Sequence, residues 1–265
     1  MNVTPAVVSV LFLVGSTVMA QERPIAARTD LAPNGTLRAA INVGNAVLAA
    51  RGRDGGEPTG VTVDIARELG RRLDVPVRLI VFDAAGKVVE AGRAGAWDVA
   101  FVALDPARAA EIAQSPPYVQ IEGAYLVRST SPITSNEQVD VPGHRVVVGR
   151  GSAYDLYLTR TLTKAELVRT STSDAVVDEF LQQGYEVAAG VKQQLEIDAG
   201  RTANLRLLPG RFMVINQAMA SQRGKEAGAR YVREFIEDLK ASGFIARALA
   251  RHNQTAVVAP AEDAR

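Results

Sequence analysis

Arg108 is the first residue of this 265-residue chain whose type and setting suggest chemistry. It closes the segment Asp105-Pro106-Ala107-Arg108, directly after the apolar run Trp97-Asp98-Val99-Ala100-Phe101-Val102-Ala103. Asp is a favoured helix N-cap and Pro a favoured first helical residue. The run therefore reads as a strand and the segment as the opening of a short helix, with Arg108 one turn in. A guanidinium is a planar set of donors that pairs bidentately with a carboxylate. The second candidate is Gly151-Ser152-Ala153, after the strand-like Arg145-Val146-Val147-Val148-Gly149. A Gly-containing turn entering a helix presents free backbone N–H groups and the positive end of the helix dipole, a setting for an anion. The plainer alternative is an ordinary N-cap, Ser152 capping Asp155. No Gly-Lys-Ser follows, so a nucleotide phosphate loop is rejected. His144 and His252 stand apart and the chain has no cysteine; the sequence predicts no metal site, no thiol nucleophile and no cofactor. Glu122 and Glu186 are the acids available to an enzyme reading. Trp97 reads as core, and Asp64, Glu68 and Glu90 as solvated helix positions.

These residues must be held by alternating elements. Thr36–Asn42 reads as a strand, 49–60 as a loop rich in Gly, Asp and Arg, and Val61–Leu73 as a helix with Ala66, Leu69 and Leu73 on one face. Strands follow at Val77–Phe82, Trp97–Ala103, Arg145–Gly149 and Glu186–Gly190. Helices are expected at Val88–Ala94, Tyr154–Leu162 and Asp174–Gln183, the last stopped by Gly184. Another carries Val232, Phe235, Ile236 and Leu239 and ends at Gly243, and a final helix runs to His252. Residues 21–35 form a polar lead-in and residues 254–265 a disordered tail. Strands alternating with helices predict α/β layers with mostly parallel sheets. Ligands of such sheets lie beyond the carboxyl ends of strands, here after Ile41, Ala103, Gly149 and Gly190.

Composition narrows the function. Basic and acidic residues number 30 and 29, a net charge of +1, which offers no footprint for nucleic acid or an anionic membrane. Ala6–Val14 is mostly apolar, Val18-Met19-Ala20 presents small residues at 18 and 20, and Gln21-Glu22-Arg23 turns polar. Residues 1–20 read as a cleaved secretory signal, although Met1–Pro5 carries no Lys or Arg. With no cysteine after it, a lipid anchor is not expected.

The order of segments resembles the family 3 extracellular solute-binding proteins, the periplasmic receptors for polar amino acids that serve ABC transporters. The resemblance runs from about Thr36 to His252. It rests on TLRAAINVGN, GVTVDIARELGRRLDVPV, AGAWDVAFVALDPARAAEIAQSPPYVQIEGAYLV, PGHRVVVGRGSAYDLYL and REFIEDLKASGFIARAL. It implies a two-lobed α/β clamp, each lobe a mostly parallel sheet with helices on both faces. Lobe 1 would comprise 36–127 and 217–253 and lobe 2 would comprise 128–216, with hinge strands near Ala124–Arg128 and Met213–Ala218. The lobes would close over a small carboxylate-bearing or amino-acid-like solute, for delivery to a membrane permease by a periplasmic monomer without catalysis. Arg108 matches the position that forks onto the ligand carboxylate; the alternatives are a solvated helix residue or an interlobe ion pair. Gly151, Ser152 and Ala153 would grip the same carboxylate from lobe 2. Tyr118, after Pro116-Pro117, has a place at the cleft mouth only as a secondary reading. Cyclohexadienyl dehydratases share the resemblance and supply the enzyme alternative.

Departures from that pattern bear on the ligand. The resemblance implies an Asp after the GYEVAAG-type strand to hold the ligand ammonium, and this sequence has Lys192 at the matching position. Ala103 replaces a usual Ser or Thr, Ala85 a usual aromatic, and Asn42 and Asn45 stand where an Asp and an aromatic are usual. Two like charges 4 Å apart repel by about 4 kcal/mol at an effective dielectric near 20, half of a micromolar affinity of about 8 kcal/mol. Lys192 in the cleft therefore predicts a ligand that is not an ordinary α-amino acid. The alternative is Lys192 turned to solvent, with Glu122 or another acid holding the ammonium.

Overall fold

The computed structural model describes residues 25–262; the signal-peptide reading of residues 1–20 lies outside them. One ten-stranded sheet runs through both halves of the molecule. The first half contains β1 (Leu37–Asn42), α2 (Val61–Leu73), β2 (Val77–Phe82), α3 (Ala85–Arg93), β3 (Val99–Ala103) and α4 (Pro106–Ala109). The chain crosses on β4 (Ile112–Arg128). The second half holds β5 (Arg145–Gly149), α5 (Ala153–Thr161), β6 (Glu166–Thr170), α6 (Val176–Gln182), β7 (Val187–Val191), α7 (Lys192–Arg201) and β8 (Leu205–Leu207). The chain returns on β9 (Met213–Gln222) and ends with α8 (Glu226–Ala241), α9 (Phe244–Arg251) and β10 (Val257–Val258). Within each half the strands β2-β1-β3 and β6-β5-β7 are parallel. The crossing strands join antiparallel, β9 on β3 and β4 on β7. The result is two α/β lobes hinged on the β4–β9 ribbon, as expected of the clamp.

Each lobe is tied at its base by the same device. Arg38, near the start of β1, donates its backbone N–H and its guanidinium Nε and Nη2 to Asp98 at 2.8, 3.0 and 2.7 Å. In lobe 2, Arg145 at the start of β5 gives the same three bonds to Glu186 at 2.8, 3.0 and 2.7 Å. The acids occupy equivalent places, Trp97-Asp98-Val99-Ala100 and Tyr185-Glu186-Val187-Ala188, each just before the third parallel strand of its lobe. An ion pair that also satisfies a backbone donor fixes the register of two strands that are not sequence neighbours.

The helices pack as their patterns require. Helix α2 buries Val61, Ile65, Ala66, Leu69 and Leu73 and ends where Asp74 takes the left-handed conformation. Trp97 is fully buried, its indole N–H donating to Val88 O at 2.8 Å. It lies so close to Gly92 that a Cβ there would sit 2.5 Å from the ring.

Both terminal segments pack against the lobes, and for the tail this corrects the expectation. The lead-in contains a helix, α1 (25–31), which buries Ala27 and Leu31 while Asp30 accepts the N–H of Gly228 at the start of α8. The tail is not disordered over 254–262. Val257 and Val258 pair with Gln120 and Val119 on the free edge of β4, Ala259 is buried, and Glu262 pairs with Arg233 at 2.6 Å. Beside an open strand edge Val257 and Val258 gain ladder bonds, and Ala259 gains burial.

Candidate functional site

Between the lobes lies a cavity of about 30 Å³, lined from lobe 1 by Asn42, Asn45, Ala85, Ala103 and Arg108, from lobe 2 by Ser152, Ala153, Tyr154, Ser173 and Val191, and from the hinge by Ile215 and Gln217. At that volume it has room for roughly two water molecules. Six of the eight residues singled out from sequence (Asn42, Asn45, Ala103, Arg108, Ser152 and Ala153) line it.

Arg108 is only 3% exposed. It is held by α4 as the sequence implies, with the Asp105 side chain capping Ala107 N–H at 2.9 Å. Its Nη1 donates to Ala103 O at 2.9 Å and its Nη2 crosses between the lobes to Gly151 O at 2.7 Å. Burial pulls its pKa down to about 10, with Asp105 opposing the shift, so it remains a cation at neutral pH. Two of the five guanidinium N–H groups are thus engaged with carbonyls, leaving donors on the same fork for an anion.

The Gly151 turn is arranged differently from the open cradle expected. Gly151 N–H already donates to the buried carboxylate of Asp155 at 2.8 Å. Ser152 N–H donates to Gly149 O at 3.1 Å, and the Ser152 hydroxyl accepts from Asp155 N–H at 3.0 Å. Asp155, with Arg169 on its other oxygen at 2.9 Å, fills the place proposed for an anion. The donors left to the cavity from this helix are the first-turn N–H groups of Ala153 and Tyr154. Gly151 therefore serves the site through its carbonyl, to Arg108.

Lys192 does not line this cavity. Val191, at the end of β7, faces it, and the next residue lies on the far side. There Lys192 binds Glu122 at 3.0 Å, and Arg211 binds the other oxygen of the same carboxylate at 2.6 Å. The two cations hold Glu122 below its usual carboxylate range, Arg211 first. Like-charge repulsion by Lys192 is thus replaced by a simpler fact: the residue facing the cleft at this strand end is apolar. Glu186 is bound to Arg145 at the base of lobe 2, so neither candidate acid of the enzyme reading reaches the cavity. Tyr118 is fully buried and not at a cleft mouth. His252 is paired with Asp64 at 2.9 Å.

Sequence reasoning missed Tyr154, Ser173, Val191 and Gln217. Tyr154 donates to Ser173 Oγ at 2.9 Å, and Gln217 arrives on the returning hinge strand, a placement that local patterns do not carry. The Asn42 side chain caps Gly44 N–H at 3.1 Å. The Asn45 Oδ1 is buried without a partner. It also lines an adjoining cavity of about 20 Å³ that extends along α7 to Asp198.

Two parallel half-sheets, two crossing strands and a buried arginine in the seam define a ligand-binding clamp. The chain belongs to the bacterial extracellular solute-binding proteins, family 3, whose pattern it matches over residues 37–255. Solved structures agree on the fold. An arginine-binding protein variant from T. maritima superposes with a TM-score of 0.74 at 17% identity, over 86% of this chain and 99% of that one. A solute receptor for L-cysteine from Neisseria gonorrhoeae gives 0.74 at 20% identity, over 86% and 92%. An ancestral amino acid-binding protein, a precursor of cyclohexadienyl dehydratase, gives 0.70 at 18% identity, over 83% and 95%. No curated protein matches the chain significantly.

Proposed function

We propose that this protein is the periplasmic substrate-binding component of an ABC importer, closing on a small carboxylate that lacks an α-ammonium group and delivering it to a membrane permease. The observation that carries the reading is the charge inventory of the interlobe cavity: among the described residues lining it, Arg108 alone is charged. A buried cation with unengaged donors favours an anion, and a guanidinium favours a carboxylate. An α-ammonium would meet Val191 where a counter-charge is needed, and burying an unpaired charge is strongly unfavourable. Solved structures of the same fold include a receptor for L-cysteine and a protein bound to L-arginine; the charge inventory of this cavity argues for a different ligand here. The family assignment and the signal-like residues 1–20 support export. Thermal-shift measurement on residues 21–265 against matched pairs, each α-amino acid beside its 2-hydroxy and 2-oxo analogue, tests this. Stabilisation by the amine-free acids, lost in Arg108→Ala, is expected. Stabilisation by amino acids alone overturns it.

A further inference from the structure

The lobes meet across the cavity from the hinge, and the contact there is backbone on backbone. Gly86, in the first turn of α3, lies against the Arg150-Gly151 turn of lobe 2. A Cβ on Gly86 would stand 3.3 Å from Arg150 O and 3.3 Å from Gly151 Cα, and a Cβ on Gly151 would stand 2.8 Å from Gly86 Cα. Gly151 has φ +69, a conformation that favours glycine, so its side of the seam is doubly constrained. Beside this contact Arg108 Nη2 bonds Gly151 O at 2.7 Å. Further along the seam Arg160 of lobe 2 pairs with the buried Asp105 of lobe 1, Nη2 to Oδ2 at 2.8 Å and Nη1 to Oδ1 at 3.3 Å. Asp105 also caps the helix that carries Arg108, so the interlobe pair and the anion grip share one carboxylate.

We propose that the Gly86–Gly151 contact is the closure stop of the clamp and a determinant of solute size, with Arg160 as a positioning residue acting on Arg108 through Asp105. Resting on the carboxylate reading above, this favours a short hydroxy acid over a longer one, because the cavity that the seam closes is small and a longer chain must part the lobes. Its carboxylate takes the free edge of Arg108, and its hydroxyl supplies the donor that the buried Asn45 Oδ1 lacks. Glycine at 86 is not needed by helix α3 itself, where another residue would serve better; it is needed where the lobes touch.

The test exploits the absence of cysteine from the native chain. Spin labels on Glu90→Cys and Lys164→Cys, exposed and on opposite lobes, report lobe separation in the wild-type background, in Gly86→Leu and in Arg160→Ala. Calorimetry on the unlabelled proteins uses glycolate, lactate, 2-hydroxybutyrate and 2-hydroxyhexanoate as probes. Gly86→Leu is expected to melt no lower than wild type, to lengthen the label distance, to lose at least about tenfold in affinity for glycolate and lactate, and to move its optimum to a longer acid. Arg160→Ala is expected to weaken every acid in the series, with partial recovery in Arg160→Lys. Unchanged label distances, or the same chain-length optimum in both proteins, overturn the stop. Equal affinity of wild type and Arg160→Ala overturns the positioning role. If no acid binds any protein, the carboxylate reading falls with the size inference, while the label distances still decide whether Gly86 limits closure.

Discussion

Arg108 unites a ligand role and a lobe-to-lobe contact in one side chain. The sequence reading posed these as alternatives, and the geometry joins them: the same guanidinium bonds carbonyls on both lobes and keeps donors for an anion. Arg108→Lys is expected to lose about 10- to 100-fold in carboxylate affinity, since an ammonium cannot reproduce the planar fork and hydrogen bonds to a charged group contribute about 1.5–3 kcal/mol; calorimetry reads this directly. The position of Val191 yields a sharper prediction. Val191→Asp places a carboxylate in the cavity wall, and the variant is expected to bind α-amino acids more tightly than the wild type does, as calorimetry would show. Lys192→Asp, on the other side of the hinge, is expected to leave ligand preference unchanged while placing a second acid beside Glu122. The sequence located the correct strand end but not which residue turns inward, because that depends on where β7 stops and α7 begins. One residue's difference in that boundary exchanged a half-buried valine for a paired lysine.

At the scale of elements, legibility followed local pattern. The helix Val61–Leu73 and the strand Val77–Phe82 stood out because apolar spacing and strand-forming residues are local properties, and both form over those residues. Strand β4 was legible only as a hinge segment. Its run through Ser115, Pro116 and Pro117 contains residues that weaken a strand pattern, and the pairing register shifts there. The order β3-β9-β4-β7 comes from chain-distant pairing, which no window of sequence carries. The Arg38–Asp98 and Arg145–Glu186 clamps are of that kind. Asp98→Ala is expected to destabilise by about 2 kcal/mol, discounted from the 3–5 typical of a buried pair because Arg38 is partly exposed, with chemical denaturation as the check. A pH effect belongs to α2. Arg71 first, then Arg72, hold Glu68 at a pKa of about 2 against an ordinary 4.5. A depressed acid pKa contributes stability that is present above the unfolded-state value and lost as pH falls towards the folded one. The melting-temperature gap between wild type and Glu68→Gln is therefore expected to be widest near neutral pH and to close between about pH 5 and 2.

The whole molecule turns on the two faces of its hinge. Side chains alternate along a strand; accordingly Ile215 and Gln217 face the interlobe cavity, while Val214 faces a groove of about 360 Å³ on the opposite side of the ribbon. That groove is bounded by Glu122 on β4, Lys192 and Gln193 of α7, and Thr255–Val257 of the docked C-terminal segment. A rotation that parts the lobes around the cavity must bring the walls of the groove together, because both hang on the same two strands. The groove's free volume is thus a measure of how far the clamp can open. Val214→Trp would occupy that volume and oppose opening without touching the ligand cavity. If closed and open forms interconvert in solution, the apparent affinity follows the fraction that is competent. The variant is expected to show a narrower distribution of lobe separations, slower ligand release and an apparent affinity raised by up to about tenfold. Spin-label distances and stopped-flow release measure these separately. A Val214→Trp protein that opens as widely as wild type would show that the lobes do not rotate about the β4–β9 ribbon.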